Sequence, residues 1–203
     1  MTTPVLDVTC GARMMWFDKR DPRATFCDSR AETMQLCDGR TLNIAPDQIA
    51  DFRNLPFDDE SFYLVVFDPP HLARLGESSW LASKYGALLP TWQDDIRAGF
   101  DECFRVLKPH GVLVFKWSEV QIPLSAVLAL SSVRPLFGHT TTATGTTHWC
   151  TFIKPACPAP HNSAPSATAS SPNKPPPRSR SWLNAPTNSR PQDGSQHERF
   201  AHR

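Results

Sequence analysis

The chain has 203 residues, of which 40% are hydrophobic and 20% are charged, a composition typical of a globular protein in water. This length allows one domain and an extension, but not two full domains. The net charge of +1 excludes an overall basic surface, so any contact with a polyanion must come from a local patch.

The first half of the chain alternates short apolar runs with polar turns. We predict strands over residues 5–8, 24–28, 48–52 and 62–67, and a short helix near residues 12–19. The last of these strands has the strongest pattern, because it is continuously apolar and is followed at once by Asp68-Pro69-Pro70.

The second half begins with a helical pattern over residues 92–107, whose apolar residues recur at helical spacing. Pro109-His110-Gly111 is expected to stop this helix. A buried strand over 112–117, a helix over 124–130 and β-like pieces over 135–139 and 147–153 follow. Hydrophobic strands separated by helices indicate an α/β fold with a mostly parallel sheet and helices on both faces.

The composition changes after Lys154. Half of the twenty prolines lie in residues 155–203, together with many serines, alanines and asparagines. Such a segment has too little apolar surface to offset the entropy lost on ordering. We therefore predict a domain over residues 1–154 and a disordered, weakly basic tail over 155–203.

Cysteine spacing and hydropathy give no sign of secretion or membrane insertion. The six cysteines form none of the close pairs of a structural zinc site, and no secretory signal precedes them. No apolar run approaches the ~20 residues that span a bilayer. We predict a cytoplasmic protein with free thiols, no metal site and no membrane contact.

Four carboxylates lie in, or directly after, the last residues of the predicted strands of the first half. They are Asp7, Asp28, Asp51 and Asp68. In open α/β sheets, ligands bind at the carboxyl ends of the strands, so these side chains are expected to line one site. Each aspartate taken singly is more often a turn former or a helix cap. The recurrence of the pattern favours a site for a ligand with amine, ribose and adenine groups.

The sharpest local signal is Asp68-Pro69-Pro70-His71, directly after a buried strand. The two prolines remove backbone donors and stiffen the turn, which leaves the Pro69 carbonyl as a free acceptor beside the Asp68 carboxylate. Two neighbouring acceptors suit an amino group, and they would stabilise charge that develops on its nitrogen. His71 supplies a flat ring that could stack on a base. The alternative is a rigid loop in which Asp68 only caps the next turn.

Several stretches together resemble the class I S-adenosylmethionine-dependent methyltransferases, which have a Rossmann-like sheet with an antiparallel last strand. The resemblance covers roughly residues 4–154. It rests on VLDVTCG, on LPFDDESF, on FRVLKPHGVL and on the tetrapeptide DPPH. The tetrapeptide is similar to the D-P-P-aromatic motif of amino-methyltransferases that act on adenine or cytosine, and the whole is similar to small methyltransferase-like proteins of bacteriophage and prophage genomes.

The resemblance also implies roles for individual residues. It implies that Asp7, Thr9, Cys10 and Gly11 contact the methionine part of S-adenosylmethionine and Asp28 its ribose. Asp51 would lie near the adenine amino group, with Phe52 also binding the cofactor. The catalytic corner would consist of Asp68, Pro69, Pro70 and His71.

Residues 71–91 form a long connection in which basic and aromatic residues alternate. Arg74, Trp80, Lys84 and Tyr85 could grip a nucleic-acid backbone and stack a base, or they could belong to an ordinary surface loop. Lys116 and Trp117 end a strand and could line the target side of the site, although a place in the core is the favoured interpretation of Trp117.

The sequence departs from the family pattern in its first loop. Only the middle glycine, Gly11, is present, with Thr9 and Arg13 in the flanking places. The chain also starts almost at its first strand. We therefore expect a cofactor site with less cover, which binds more weakly or depends on a protein partner or a homodimer.

Three functional hypotheses remain open at this point. The first is methyl transfer to an exocyclic amino nitrogen of a nucleic-acid base, with DNA favoured over RNA. The second is the same fold acting on a small molecule or a protein amide, which the near-neutral charge and the lack of a recognition domain favour. The third is a cofactor-binding or partner-binding protein without catalysis, which the altered glycine loop favours.

Overall fold

The computed structural model describes residues 3–36, 38–74, 86–141 and 145–156. The strands in this part of the chain are β1 (Val5–Asp7), β2 (Ala24–Asp28), β3 (Glu32–Gln35), β4 (Thr41–Ile44), β5 (Gln48–Ile49), β6 (Phe62–Phe67), β7 (Leu107–Ser118), β8 (Phe137–Thr140) and β9 (Thr147–Ile153). The helices are α1 (Trp92–Val106) and α2 (Leu124–Leu128).

Seven of the strands form one sheet in the order β5-β2-β1-β6-β7-β9-β8. The pairings from β5 to β7 are parallel, whereas β9 runs antiparallel to both β7 and β8. Chain order reverses at β1, which lies between β2 and β6. The predicted α/β, Rossmann-like sheet with an antiparallel last strand is confirmed.

The main core lies between the sheet and the helices. Alternate side chains of β7 are fully buried, because one face of this strand meets α1. The apolar stripe of α1 supplies Ile96, Phe100, Cys103 and Phe104, and α2 adds Val127 to the same core. This packing fixes the strands whose carboxyl ends form the site.

The helix predicted near residues 12–19 is wrong, because this segment folds as turns. Gly11 and Arg13 have positive φ angles of 50° and 54°, which are incompatible with a right-handed helix. The Arg13 guanidinium donates hydrogen bonds to the carbonyls of Lys19 and Ala45, at 2.7 Å each. These bonds hold the turns against the neighbouring chain.

β3 and β4 pair in an antiparallel arrangement that the sequence analysis did not predict. Leu36, Leu42 and Ile44 are its buried residues, and they form a small core of their own. The third predicted strand is shorter than expected, since β5 ends at Ile49. Asp51 therefore lies in a turn rather than in a strand.

The remaining elements agree with the predictions except at their ends. β7 begins at Leu107 because Pro109-His110-Gly111 forms an irregularity within the strand, with His110 at a φ of 64°, instead of a loop before it. The tail predicted over residues 155–203 lies almost wholly outside the described residues, so this boundary stays a prediction. In the described part of the chain, neither helix has the length and apolarity required to cross a membrane.

Candidate active site

A cavity of about 360 Å³ opens at the carboxyl ends of β1, β2, β5 and β6, the place predicted from the sheet topology. Its volume falls within the range of small-molecule sites. The predicted site residues on its wall are Thr9, Cys10, Gly11, Asp28, Asp51, Phe52, Asp68, Pro70 and Lys116.

The turn after β1 connects the two sides of this cavity. The Gly11 backbone N–H donates a hydrogen bond of 2.9 Å to Asp28 Oδ2, which joins the turn to the end of β2. On the other side, the Asp68 backbone N–H donates a bond of 2.9 Å to Thr9 Oγ1. The turn is thus fixed both to the predicted ribose-binding carboxylate and to the Asp68 corner.

Asp28 and Asp51 are each anchored by the arginine two residues later. The Arg30 and Arg53 backbone N–H groups donate to the preceding aspartate Oδ1 at 3.0 and 2.9 Å. The Arg53 guanidinium also bonds Asp51, and this interaction lowers the pKa of the Asp51 carboxyl. It reaches Asp95 on α1 as well, at 2.8 Å. Both carboxylates are therefore held in place by hydrogen bonds within the protein.

Phe52 is held against the core by a close contact with α1. Its ring packs on Phe67 with centroids 5.3 Å apart. A Cβ atom added at Gly99 would lie 2.7 Å from both rings, so only glycine fits at this position of the helix. The absence of a side chain at Gly99 thus sets the position of Phe52 on the cavity wall.

Asp68 lies on the cavity wall beside Lys116. Lys116 Nζ is 2.6 Å from Asp68 Oδ2, and the two side chains are 28% and 19% exposed. The residues that precede them, Phe67 and Phe115, are paired in the sheet, so both groups project from neighbouring strands at the same level. An acceptor and a donor therefore stand side by side at the end of the sheet.

The other residues of the corner behave differently. Pro70 lines the cavity, whereas Pro69 and His71 do not. Burial is the main cause that lowers the pKa of His71, and a hydrogen bond between its ring and the Pro69 backbone opposes this effect. Since proline has no N–H, the Pro69 carbonyl is the acceptor. The prediction of a free Pro69 carbonyl is therefore wrong.

Asp7 does not reach the cavity. It is fully buried, and it accepts hydrogen bonds from the Thr9 backbone at 3.2 Å and from the Trp16 indole at 2.7 Å. Burial raises the pKa of Asp7 to about 7 despite these two bonds. The predicted contact of Asp7 with a cofactor is wrong, because the side chain points into the protein and braces the turn from below.

Trp117 is also placed differently from its predicted substrate-binding role. Its side chain is fully buried, and its indole N–H donates to the Ile122 carbonyl at 2.9 Å. It belongs to the core beneath His71, as the alternative interpretation had it. Arg74 is exposed and does not line the cavity. Trp80, Lys84 and Tyr85 lie outside the described residues.

The structure adds cavity residues that the sequence analysis missed. The polar ones are Ser29, Arg30, Arg53 and Asp95, and the apolar ones include Met14, Met15, Leu42 and Leu88. The spacing Asp-x-Arg could have revealed the two arginines, since an aspartate that caps a turn places the residue two positions later beside it. No comparable signal marks Leu42, which reaches the cavity only through β4.

The described residues fit S-adenosylmethionine in chemistry. Asp28 offers carboxylate oxygens where a ribose diol needs acceptors, and Asp51 offers the same near Phe52, whose ring can cover an adenine. Gly11 provides a turn without a side chain, and a Cβ atom there would meet nothing within 4 Å. The wall is also largely apolar, as sites for small organic ligands usually are.

Comparisons with known proteins agree at the level of fold. No protein-family model matches the sequence, and no curated protein sequence matches it. The chain is similar in structure to the PH0226 protein from Pyrococcus horikoshii, with a TM-score of 0.50, 14% identity, and 74% of this chain and 81% of that chain covered.

Two further solved structures are similar at lower scores. A SAM-dependent methyltransferase from Methanosarcina mazei gives a TM-score of 0.45 and 15% identity, covering 74% of this chain and 92% of that one. The N-methyltransferase NodS from Bradyrhizobium japonicum gives 0.46 and 15%, covering 76% and 86%. At such identities the likeness concerns the fold alone, so function must be argued from the residues.

Proposed function

We propose that this chain is an S-adenosylmethionine-dependent methyltransferase that acts on an exocyclic amino nitrogen of a nucleic-acid base, adenine or cytosine, in DNA rather than RNA. The observation that carries the proposal is the position of Asp68. Its carboxylate lines the same cavity as Gly11, Asp28 and Asp51, the groups suited to the cofactor. A ligand-binding wall and an amine acceptor thus meet in one cavity.

The residues of the corner have separate parts in this reaction. S-adenosylmethionine supplies an electrophilic methyl group when it is bound. Asp68 accepts an N–H of the target amine and stabilises the positive charge that develops on its nitrogen. Pro69 and Pro70 keep the corner rigid, and the bond to Thr9 fixes its distance from the cofactor turn.

His71 supports the corner in its neutral form. Because burial lowers its pKa, the ring is uncharged at neutral pH. Its contact with the buried Trp117, at 6.2 Å between centroids, fixes its orientation. We infer that His71 braces the Pro69 carbonyl rather than transferring a proton.

A second cavity favours a nucleic acid over a small molecule as the substrate. It has a volume of about 520 Å³ and adjoins the first cavity, with Gly11, Ala12, Met14 and Leu42 lining both. Its wall includes Arg13, Lys19, Arg20 and Arg40, and none of the described residues that line it is a carboxylate. Although Arg13 and Arg40 form ion pairs with aspartates, Lys19 and Arg20 are exposed. This is the kind of local basic patch that a polyanion needs on a nearly neutral protein.

The test is methyl transfer from labelled cofactor to pools of single-stranded DNA, RNA, protein and small amines. We expect label in the DNA pool, and binding to DNA that weakens steeply with added salt. Asp68→Ala should abolish transfer while calorimetry still detects cofactor binding, whereas Asp28→Ala should weaken that binding. Asp94→Ala is the matched control, because Asp94 is exposed on α1 and outside the cavity.

Each other outcome points to a defined alternative. If the label appears in protein or in small amines, the substrate is not a nucleic acid, and the second hypothesis, a methyltransferase for a small molecule or a protein amide, takes its place. If calorimetry detects no heat of binding with S-adenosylmethionine or with its demethylated product, the third hypothesis remains, a partner-binding protein without catalysis. Full turnover by Asp68→Ala would remove the assignment of this residue.

A further inference from the structure

Lys116 is the cavity residue whose position calls for an explanation beyond cofactor binding. It lies on β7 next to the Asp68 corner, and its ammonium group bonds Asp68 Oδ2. On its other side, the ring of Trp149 on β9 lies 5.7 Å from Nζ. The side chain is 28% exposed, and it lines the same cavity as Asp68.

The pair retains unused hydrogen-bonding capacity on both sides. An ammonium group has three donors, and Lys116 directs one of them to a protein acceptor within the described residues. A carboxylate can accept about four hydrogen bonds, and Asp68 Oδ1 receives none from the described part of the chain. Among the described residues, the cavity wall therefore presents an acceptor and a donor that have no hydrogen-bond partner and lie next to one another.

We propose that Lys116 is a specificity-determining residue that donates a hydrogen bond to the ring nitrogen beside the target amine, N1 of adenine or N3 of cytosine. This inference rests on the proposed function. The acceptor on Asp68 binds an N–H of the amino group while the donor on Lys116 binds the adjacent ring nitrogen. The pair thus matches the donor-acceptor edge that adenine and cytosine share.

The same pair excludes other amines. An aliphatic amine has no neighbouring acceptor, so the Lys116 donor would be left without a partner. A side-chain amide offers a similar edge, with its carbonyl in place of the ring nitrogen, and it is therefore the competitor that the test must address.

The test uses thymine-only oligonucleotides with one central adenine or cytosine, or with 1-deazaadenine or 3-deazacytosine in that place. The deaza bases keep the amino group and replace the ring nitrogen by C–H. Wild-type protein should methylate them roughly ten- to hundredfold less efficiently in kcat/KM, the effect of one hydrogen bond to a charged group. Lys116→Met should lose the same factor on the natural base, with no further loss on the deaza base.

Lys108→Met is the control, because Lys108 lies on the same strand near Tyr63 and does not line the cavity. Lys108→Met should prefer the natural base over the deaza base in kcat/KM by the same factor as the wild type. Equal rates on natural and deaza bases would overturn the inference while leaving the proposed function intact, and this comparison needs no variant. The inference would also be overturned if Lys116→Met still preferred the natural base over the deaza base in kcat/KM. Label confined to protein amides would overturn both the inference and the nucleic-acid assignment.

Discussion

The buried carboxyl of Asp7 should make the protein less stable as the pH rises towards neutrality. Burial raises its pKa from 3.8 to about 7, because the charged form loses its hydration in the core. The native state then binds a proton more tightly than the unfolded chain does. Between these two pKa values only the unfolded chain is deprotonated, so the free energy of unfolding falls as the pH rises.

The size of the effect follows from the shift in pKa. A difference of one pKa unit corresponds to about 1.4 kcal/mol, so the full shift amounts to about 4 kcal/mol. This stability is present below about pH 4 and is lost by about pH 7. Over the part of the range from about pH 5 to about pH 8, we expect a loss of about 3 kcal/mol.

Urea unfolding of the wild type and of Asp7→Asn over this pH range measures the effect. The variant cannot titrate at position 7, so the difference between the two proteins isolates Asp7. His71 contributes the opposite slope, because its pKa is lowered in the native state, but it does so in both proteins and cancels. A difference in unfolding free energy that stays constant with pH would refute the reasoning.

Two substitutions test how the fold positions the site. Thr9→Val removes the acceptor of the Asp68 backbone N–H, so it should lower the free energy of unfolding by about 1–3 kcal/mol and also lower kcat. Thr9→Ser keeps the hydroxyl, so both quantities should stay near their wild-type values. Urea unfolding and turnover measurements check this. Gly99→Ala places a Cβ atom against Phe52, which should cost about 1–3 kcal/mol and weaken cofactor binding measured by calorimetry. Unchanged affinity in Gly99→Ala would show that Phe52 does not contact the cofactor.

The sheet could be predicted from the sequence because its strands are continuous apolar runs. The segment 62–67 and the segment 147–153 have the predicted bounds, and α1 differs from the prediction by one residue. The position of the cavity followed from the sheet, since residues after the carboxyl ends of parallel strands must come together. Asp28 and Asp68, which this rule singled out, both line the cavity.

The parts that the sequence did not reveal depend on single side chains or on tertiary contacts. The turns at residues 11–19 require positive φ at Arg13, which is uncommon for a residue with a side chain. The orientation of Asp7 depends on the indole of Trp16, nine residues away. Trp117 belongs to the core because β7 alternates, so that 113, 115 and 117 share one face.

The Asp-x-Arg turns explain how a cavity with several carboxylates can exist on a nearly neutral protein. Outside the helices this spacing occurs at Asp18, Asp21, Asp28, Asp38 and Asp51, and in each case the arginine backbone N–H donates to the aspartate Oδ1. At Asp28 and Asp51 the arginine side chain also approaches the carboxylate, so each negative charge is compensated in place.

Pairing with arginine does not use all the hydrogen bonds that these carboxylates can accept. Asp28 accepts three hydrogen bonds from Gly11 and Arg30, out of about four that a carboxylate can accept. A ribose hydroxyl can therefore add a bond to Asp28 without displacing Arg30. Under the proposed function, an acceptor that is already oriented lowers the ordering entropy that opposes cofactor binding, which offsets in part the two glycines of the family pattern that the first loop lacks. The same logic applies at Asp68, where Lys116 orients Oδ2, while Oδ1 receives no hydrogen bond from the described residues and is available in the proposed reaction.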